Sequence, residues 1–300
     1  MEVTHDCPKK WTKEAGEIEH FARLKEYPLG GYELMVCSAP VFREPGWEAR
    51  ERDHAPRSRR DDTSSVDDER ARRRAAAKVR EIALCNEFRY FVTLTLDAAR
   101  VDRYDMAAIM RKVNAWLDNN VRRHGLAYVL VPELHKDGAV HFHGFFNAAL
   151  PVKDSGTLSL PGSKKPRKPR SAAQRAEWLA SGGHVVYNLP GWSLGFSTAI
   201  ELYGGYAAAV GYVCKYVRKQ KTKIGGRWYY SGGNLGSPKI SYPDVDLREL
   251  EAAGVGYTFG VAGKIFHIVR GGAVNDIEEG IEQLCDADVP RDQGKLRQAD

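Results

Sequence analysis

Cysteine is scarce in this chain, and the few cysteines are scattered. Five occur in 300 residues, and none forms a C-x-x-C pair. An odd number of widely spaced thiols argues against a disulfide framework or a zinc finger and favours a reducing compartment. We therefore predict an intracellular protein without structural disulfides. The cysteines are Cys7, Cys37, Cys85, Cys214 and Cys285.

Long apolar runs and nucleotide-binding loops are also missing. No stretch reaches the roughly 18 apolar residues that a membrane span needs, and the first residues lack the apolar centre of a signal peptide. No G-x-x-x-x-G-K-[ST] motif occurs, so the sequence contains no phosphate loop of an ATP-driven motor. We predict a soluble protein with no membrane partner.

Basic residues are in modest excess. The chain has 45 Lys and Arg against 39 Asp and Glu, which gives a net charge of +6 and a pI near 9.0. Such a balance suits a polyanionic partner without identifying one. The hydrophobic fraction of 43% is high enough for a sizeable core.

Changes in composition divide the chain. Residues 1–48 mix aromatics, glycines and prolines without periodicity, and we predict an irregular N-terminal extension of unknown role. Residues 49–74 are dominated by charge and predict a solvated linker whose end merges into a helix. A folded domain is expected over 75–275, interrupted by a basic insertion at 151–181 and followed by a polar tail at 276–300.

Periodicity within the folded domain predicts an α+β fold, with a central antiparallel β-sheet flanked by helices. The residues between the second and third strands include Asp-Gly, a strong hairpin signal. Predicted strands cover Phe88–Leu96, Ala127–Glu133, Val140–Phe146, His184–Leu189, Gly195–Leu202 and Tyr257–Arg270, with a further hairpin starting at Arg227–Tyr230; predicted helices cover Asp67–Asn86, Asp105–His124 and Tyr206–Gln220.

Two histidines flank one apolar residue in the third strand. Alternate residues of a strand point to the same face, so His141 and His143 project together and Phe142 projects away. Two imidazoles placed in this way can share a metal ion. A pair of ordinary sheet histidines is the other interpretation, and it is the commoner one for an isolated H-x-H.

The hairpin can supply a third ligand. If the loop has three residues and Gly138 is left-handed, Glu133 lies opposite His141 on the same face. A two-residue turn would rotate Glu133 away, and His135 is then the substitute ligand. A Glu/His/His cluster open to solvent suits Mg²⁺ or Mn²⁺.

A helix about seventy residues later carries two tyrosines. Tyr212 and Tyr216 are separated by one helical turn and share a face, and Lys215 and Lys219 each follow a tyrosine by three residues. Phosphoryl transfer needs an oxygen nucleophile and nearby cations, and this array offers both. Tyrosines that pack against a sheet, with lysines extending to solvent, would give the same pattern.

The insertion contains five positive charges in seven residues. They could contact DNA phosphates, or they could belong to a solvated loop. The charges are Lys164, Lys165, Arg167, Lys168 and Arg170.

Together these residues resemble the HUH endonucleases, and Y-x-x-K-Y-x-x-K resembles the two-tyrosine rolling-circle replication initiators (Rep proteins) of small phages and plasmids. The strand Phe91–Leu96 is similar to the first motif of such initiators, F-x-T-L-T, and the three motifs follow the family's order. The resemblance covers about residues 88–220. It implies an HUH nuclease fold built on an RRM-like or palm-like sheet.

The resemblance also implies an activity. Tyr212 or Tyr216 would attack a phosphodiester of single-stranded DNA at a replication origin, which forms a 5′-phosphotyrosine and releases a 3′-hydroxyl. The second tyrosine would cleave the regenerated junction. A metal held by His141, His143 and Glu133 would polarise the phosphate, and Lys215 and Lys219 would orient or neutralise it.

The resemblance places such a protein in the cytoplasm of a bacterial host, where a host helicase and polymerase would be its partners. Three alternatives remain open at this point. The same chemistry serves conjugative relaxases and single-strand transposases, a DNA-binding protein can retain the fold without cleavage, and an unrelated metal hydrolase can contain a real H-x-H.

Overall fold

In a computed structural model the described residues form helices and strands in an α+β arrangement, which confirms the predicted fold class. A further helical turn covers residues 273–277. None of the helices within the described residues is long and apolar enough to cross a membrane. The structure describes residues 11–13, 17–43, 65–135, 137–163, 165–202 and 206–277.

The elements follow the chain in a simple order. The helices are α1 (Ser65–Cys85), α2 (Met106–His124), α3 (Ala172–Ala180), α4 (Tyr206–Lys219) and α5 (Leu247–Ala252). The strands are β1 (Trp11–Lys13), β2 (Glu17–His20), β3 (Ala22–Glu26), β4 (Tyr32–Cys37), β5 (Phe42–Arg43), β6 (Tyr90–Leu96), β7 (Tyr128–Leu134), β8 (Val140–Phe146), β9 (Lys153–Ser159), β10 (His184–Asn188), β11 (Gly195–Glu201), β12 (Tyr230–Gly232), β13 (Lys239–Ser241), β14 (Tyr257–Val261) and β15 (Lys264–Gly271).

Most of the predicted strands lie in one antiparallel sheet of seven strands. Its order is β12-β7-β8-β6-β11-β10-β9, so β8 is central and β12 and β9 are the edges. The predicted hairpins β7–β8 and β10–β11 are both present. This sheet and its helices lie in a unit that extends from Glu69 to Gly236.

The two faces of this sheet differ in chemistry because β8 alternates. Phe142 and Phe146 are fully buried in an apolar core with Ile109 and Leu117 of α2. The intervening histidines project to the opposite face, which α4 partly covers. At Gly144 the neighbouring strand passes so close that a Cβ would lie 2.0 Å from the Val129 carbonyl oxygen, so only glycine fits there.

The N-terminal region is more regular than we predicted. Strands β3 and β4 of the supposedly irregular extension belong to a five-stranded antiparallel sheet of order β13-β3-β4-β15-β14, while β1, β2 and β5 form a small sheet of their own. Glu33 and Arg270 are cross-strand partners in β4 and β15, and a 2.8 Å ion pair joins them. The sequence prediction failed because the partner strands lie more than 200 residues away.

Two other expectations need correction. The basic insertion does not merely interrupt the fold, because it contains the sheet strand β9 and the helix α3. The hairpin expected to start at Arg227–Tyr230 is absent from the described residues, since β12 pairs with β7 instead. The predicted hairpin over Tyr257–Arg270 is present as β14–β15. Most of the polar tail, 276–300, and of the linker, 49–74, lies outside the described residues.

Candidate metal centre and tyrosine helix

The β7–β8 hairpin has the predicted register. The His135 amide donates to the Ala139 carbonyl at 2.8 Å, and Gly138 has a φ of +85°, as a three-residue loop with a left-handed glycine requires. The Asp137 carboxylate accepts a hydrogen bond from the Ala139 amide and so stabilises the turn. As a result, Glu133 lies directly opposite His141. Lys136, the first loop residue, lies outside the described residues.

Glu133, His141 and His143 form a compact cluster. One carboxylate oxygen of Glu133 lies 3.0 Å from His141 Nε2 and 3.2 Å from His143 Nε2. One ligand atom from each residue lies within 4.8 Å of the other two, so the cluster could hold a metal ion. Both histidine side chains are largely buried, at 13% and 12% exposure, while Glu133 is 38% exposed. The cluster is therefore rigid on the sheet side and accessible at the carboxylate.

The charges within the cluster favour cation binding. Burial alone would raise the pKa of Glu133, but hydrogen bonds and Coulombic attraction from the two histidines outweigh it and lower that pKa to about 2. Burial lowers the pKa of His143 below its usual value, although Glu133 opposes this shift. A charged carboxylate and a neutral imidazole are the protonation states that a metal ion requires.

Thr93 on β6 orients one of the imidazoles. Its hydroxyl lies 3.0 Å from His143 Nδ1, and Thr93 and His143 are direct partners across the sheet. If Nδ1 carries the proton and donates it to Thr93, then Nε2 presents its lone pair to the cluster. This donor set, two imidazoles and a carboxylate with one imidazole already oriented, fits a divalent metal.

We predict that Thr93→Val weakens metal binding about 10- to 100-fold, because an oriented ligand loses its hydrogen-bond partner. Isothermal titration of Mn²⁺ into the purified protein measures this change. Thr198→Val is a matched control, because Thr198 pairs with Thr93 across β11 and β6 but makes no hydrogen bond to the cluster among the described residues. Equal affinities for wild type and Thr93→Val would contradict the orienting role.

His135 is not part of the cluster. Its ring centroid is 5.5 Å from that of His141, its side chain is 66% exposed, and it lies near Asp137 in the turn. Glu133, whose register is the predicted one, is therefore the third ligand that the geometry offers. The substitute role predicted for His135 is not needed.

Helix α4 brings the tyrosine pair to the cluster. The Tyr216 ring stacks on His143, with centroids 4.5 Å apart and planes 9° apart. Tyr212 meets Tyr216 edge-on at 4.9 Å, and its ring also meets Phe91 of β6. The buried side of the helix consists of Val210, Gly211, Val213, Cys214 and Val217.

The two tyrosine hydroxyls are hydrogen-bonded to each other. Tyr216 donates to the Tyr212 oxygen at 2.5 Å, and Tyr212 is 41% exposed. Burial raises the pKa of Tyr216, and the hydrogen bond to Tyr212 and the nearby charge of Glu133 raise it further. Without a bound cation, Tyr216 therefore keeps its proton at neutral pH.

Other tyrosines that the sequence offers have structural roles. Tyr230 is buried, and its hydroxyl donates to the carbonyl oxygens of Ile224 and Gly225. The Tyr206 hydroxyl donates to the Ala83 carbonyl oxygen at 2.7 Å, and burial raises its pKa. Tyr212 and Tyr216 are the tyrosines that the described residues place at the candidate metal centre.

Both ends of α4 are fixed to the surrounding structure. At the first end Tyr206 bonds to α1, as described above. At the other end the Gln220 side chain donates to the carbonyl oxygens of Pro132 and Trp228, and its own carbonyl accepts from Arg72. These contacts were not foreseen, since Gln220 lacks any sequence motif.

The structure separates the predicted cations into two sets. Lys215 is half-buried and Lys219 is exposed, and both lie on the tyrosine helix. The basic run instead lies along the far edge of the sheet, where Arg167 forms a bridge with Leu158 of β9. It follows the metal strand in sequence, but β6, β11 and β10 lie between β8 and β9. Lys165, Arg167, Lys168 and Arg170 are exposed, and Lys164 lies outside the described residues.

The fold and the site define an α+β protein with a possible metal-binding triad that faces a pair of helical tyrosines. Residues 89–221 match the family model of the ORF2-type replication-associated proteins. The matched segment begins just before β6 and ends just after α4, so it contains the whole candidate site while covering less than half of the chain. This similarity confirms the likeness to Rep-type replication proteins. No curated protein and no solved structure gave a match.

Proposed function

We propose that this protein initiates rolling-circle replication by nicking and joining single-stranded DNA through a 5′-phosphotyrosine. One observation carries the proposal. The ring of Tyr216 stacks on His143 of the Glu/His/His cluster, and the Tyr216 hydroxyl bonds to that of Tyr212. A nucleophile, a second nucleophile and a cation site are thus adjacent, and the family match to replication-associated proteins supports the biological setting.

In the proposed reaction a tyrosine oxygen attacks the scissile phosphorus. The bond from phosphorus to the 3′-oxygen breaks, the tyrosine retains the phosphate and the 5′ part of the strand, and the 3′-oxygen leaves as a hydroxyl after receiving a proton. A metal held by Glu133, His141 and His143 would act as a Lewis acid on the phosphate and favour loss of the tyrosine proton. Lys215 and Lys219 would add positive charge near the phosphate.

Two tyrosines allow the reaction to occur twice. A polymerase of the host would extend the released 3′-hydroxyl, and the second tyrosine would cleave the junction that the first turn of replication regenerates. The liberated 3′-hydroxyl would then attack the first phosphotyrosine and close the circle. Because the sequence has no phosphate loop, a host helicase would open the duplex.

The proposal predicts a covalent protein–DNA adduct. Purified protein is incubated with Mn²⁺ and a diverse pool of single-stranded oligonucleotides, and adducts that resist SDS are counted and sequenced. We expect an adduct with wild type and none with the Tyr212→Phe/Tyr216→Phe variant, which lacks both nucleophiles. Tyr229→Phe is the control, since Tyr229 is half-buried and lies outside α4.

Each other outcome identifies a different protein. Cleavage without an adduct would replace the proposal with a metal hydrolase. Binding of the pool without cleavage, repeated on the replicon's own origin, would indicate a DNA-binding protein of this fold. An adduct on transfer-origin or transposon-end DNA, but on no replication origin, would indicate a relaxase or a transposase.

A further inference from the structure

Phe196 is an aromatic side chain placed where an apolar group has no structural reason to be. It is 69% exposed although it lies within a regular strand, β11. The preceding residue, Gly195, lies so close to β6 that a Cβ would be 2.2 Å from the Thr95 carbonyl oxygen. The backbone of Phe196 is therefore held firmly against the sheet while its ring projects into solvent.

The sheet register places this ring on the face of the metal cluster. Phe196 pairs with Thr95, Thr95 pairs with His141, and His141 pairs with Glu133. Residues that are direct partners across a sheet point to the same side. Phe196 thus lies in the same row as two residues of the cluster and two strands from His141, a distance of roughly 10 Å.

The surface between and beyond these residues is polar and carries positive charge. Thr95 is exposed, and so are Asn188 of β10 and Lys153 of β9, which pair with each other. Past β9, the exposed basic run lies at the same edge of the sheet. A polyanion that leaves the cluster in this direction meets an aromatic ring first and cations afterwards.

We propose that Phe196 is a platform on which a nucleobase of single-stranded DNA stacks, close to the phosphate that is cut. This inference rests on the proposed function and adds the path of the substrate strand. Exposed aromatics on a sheet bind bases of any sequence, because every base has a flat face. Roughly 10 Å corresponds to about three stacked nucleotides, or fewer in an extended strand. Phe196 would therefore position the strand without touching the reacting atoms.

The first test measures DNA binding without cleavage. The full chain carrying Tyr212→Phe and Tyr216→Phe is titrated with fluorescein-labelled (dT)20 in the presence of Mn²⁺, and anisotropy gives Kd. We expect Phe196→Leu to weaken binding about tenfold, within the range for one base stacked on an aromatic ring. Phe196→Tyr should restore the wild-type Kd. Tyr257→Leu, which removes an exposed strand aromatic of the other sheet, should leave Kd unchanged.

The second test uses an oligonucleotide that contains the trapped cleavage site. With both tyrosines present, Phe196→Leu should raise the DNA concentration for half-maximal adduct formation and leave the rate at saturation nearly unchanged. An abasic nucleotide walked along the strand should weaken wild-type binding most at one position. That position should lose its special effect in Phe196→Leu.

The outcomes separate this inference from the proposed function. Equal Kd values for wild type and Phe196→Leu would overturn the platform while adduct formation could still succeed. Failure of the wild type to bind (dT)20 would overturn it as well. A change in oligomeric state on gel filtration, without a change in Kd, would assign the ring to a protein interface instead.

Discussion

Replacing His143 with alanine is expected to reduce the rate of adduct formation about a thousandfold, equivalent to about 4 kcal/mol of transition-state stabilisation. The substitution removes one of three candidate metal ligands and also the ring on which Tyr216 stacks. Rates are measured with Mn²⁺ on an oligonucleotide that contains the cleavage site, and thermal unfolding confirms that the variant is folded.

Two further variants separate the two losses. His141→Ala removes a ligand but leaves the Tyr216 stack intact, so excess Mn²⁺ should partly restore its rate and should not restore that of His143→Ala. His135→Ala is the matched control, because His135 lies on the same hairpin outside the cluster, and its rate should stay within about twofold of wild type. A wild-type rate for His143→Ala would contradict the metal assignment.

The two tyrosines should respond differently to removal of their hydroxyls. Tyr216→Phe is expected to abolish the first cleavage, because Tyr216 is the tyrosine that stacks on a residue of the cluster. Tyr212→Phe removes the hydrogen-bond partner of that hydroxyl, which costs about 1 kcal/mol and slows the first cleavage about fivefold.

A substrate that must be cleaved twice should reverse the emphasis. Tyr212→Phe should accumulate the first adduct and fail to release a closed circle, since only one nucleophile remains. Single-turnover kinetics on an oligonucleotide with two sites, resolved on a denaturing gel, measures both steps. Retention of the first adduct by Tyr216→Phe, with its loss in Tyr212→Phe, would mean that the exposed tyrosine acts first.

The metal cluster was predictable because its geometry is local. The Asp-Gly turn fixes the β7–β8 register, and strand alternation places His141 and His143 together, so the consecutive residues 133–143 contain the information needed. The tyrosine spacing is equally local on α4. The sequence could not show that Tyr216 stacks on His143, because that contact joins residues far apart in the chain, on an element that the hairpin does not include.

The elements that we missed depend on distant partners. Strand β4 pairs with β15 and strand β12 pairs with β7, and neither pairing has a turn signal that announces it. The Thr93 bond and the Phe196 exposure depend on the strand order, since the same residues in another sheet could have been buried or distant. An exposed phenylalanine and a buried one look alike in sequence.

The anchoring of the tyrosine helix constrains how strand exchange can proceed. Tyr206 attaches the first turn of α4 to α1, and Gln220 attaches the residue after its last turn to β7 and to the segment before β12. A helix restrained at both ends has no hinge, and its two hydroxyls already touch. Passing the reaction from one nucleophile to the other therefore calls for no swing of the protein. We expect the travelling component to be the nucleic acid, so that the flexibility of the strand rather than that of the helix sets the pace of circle closure.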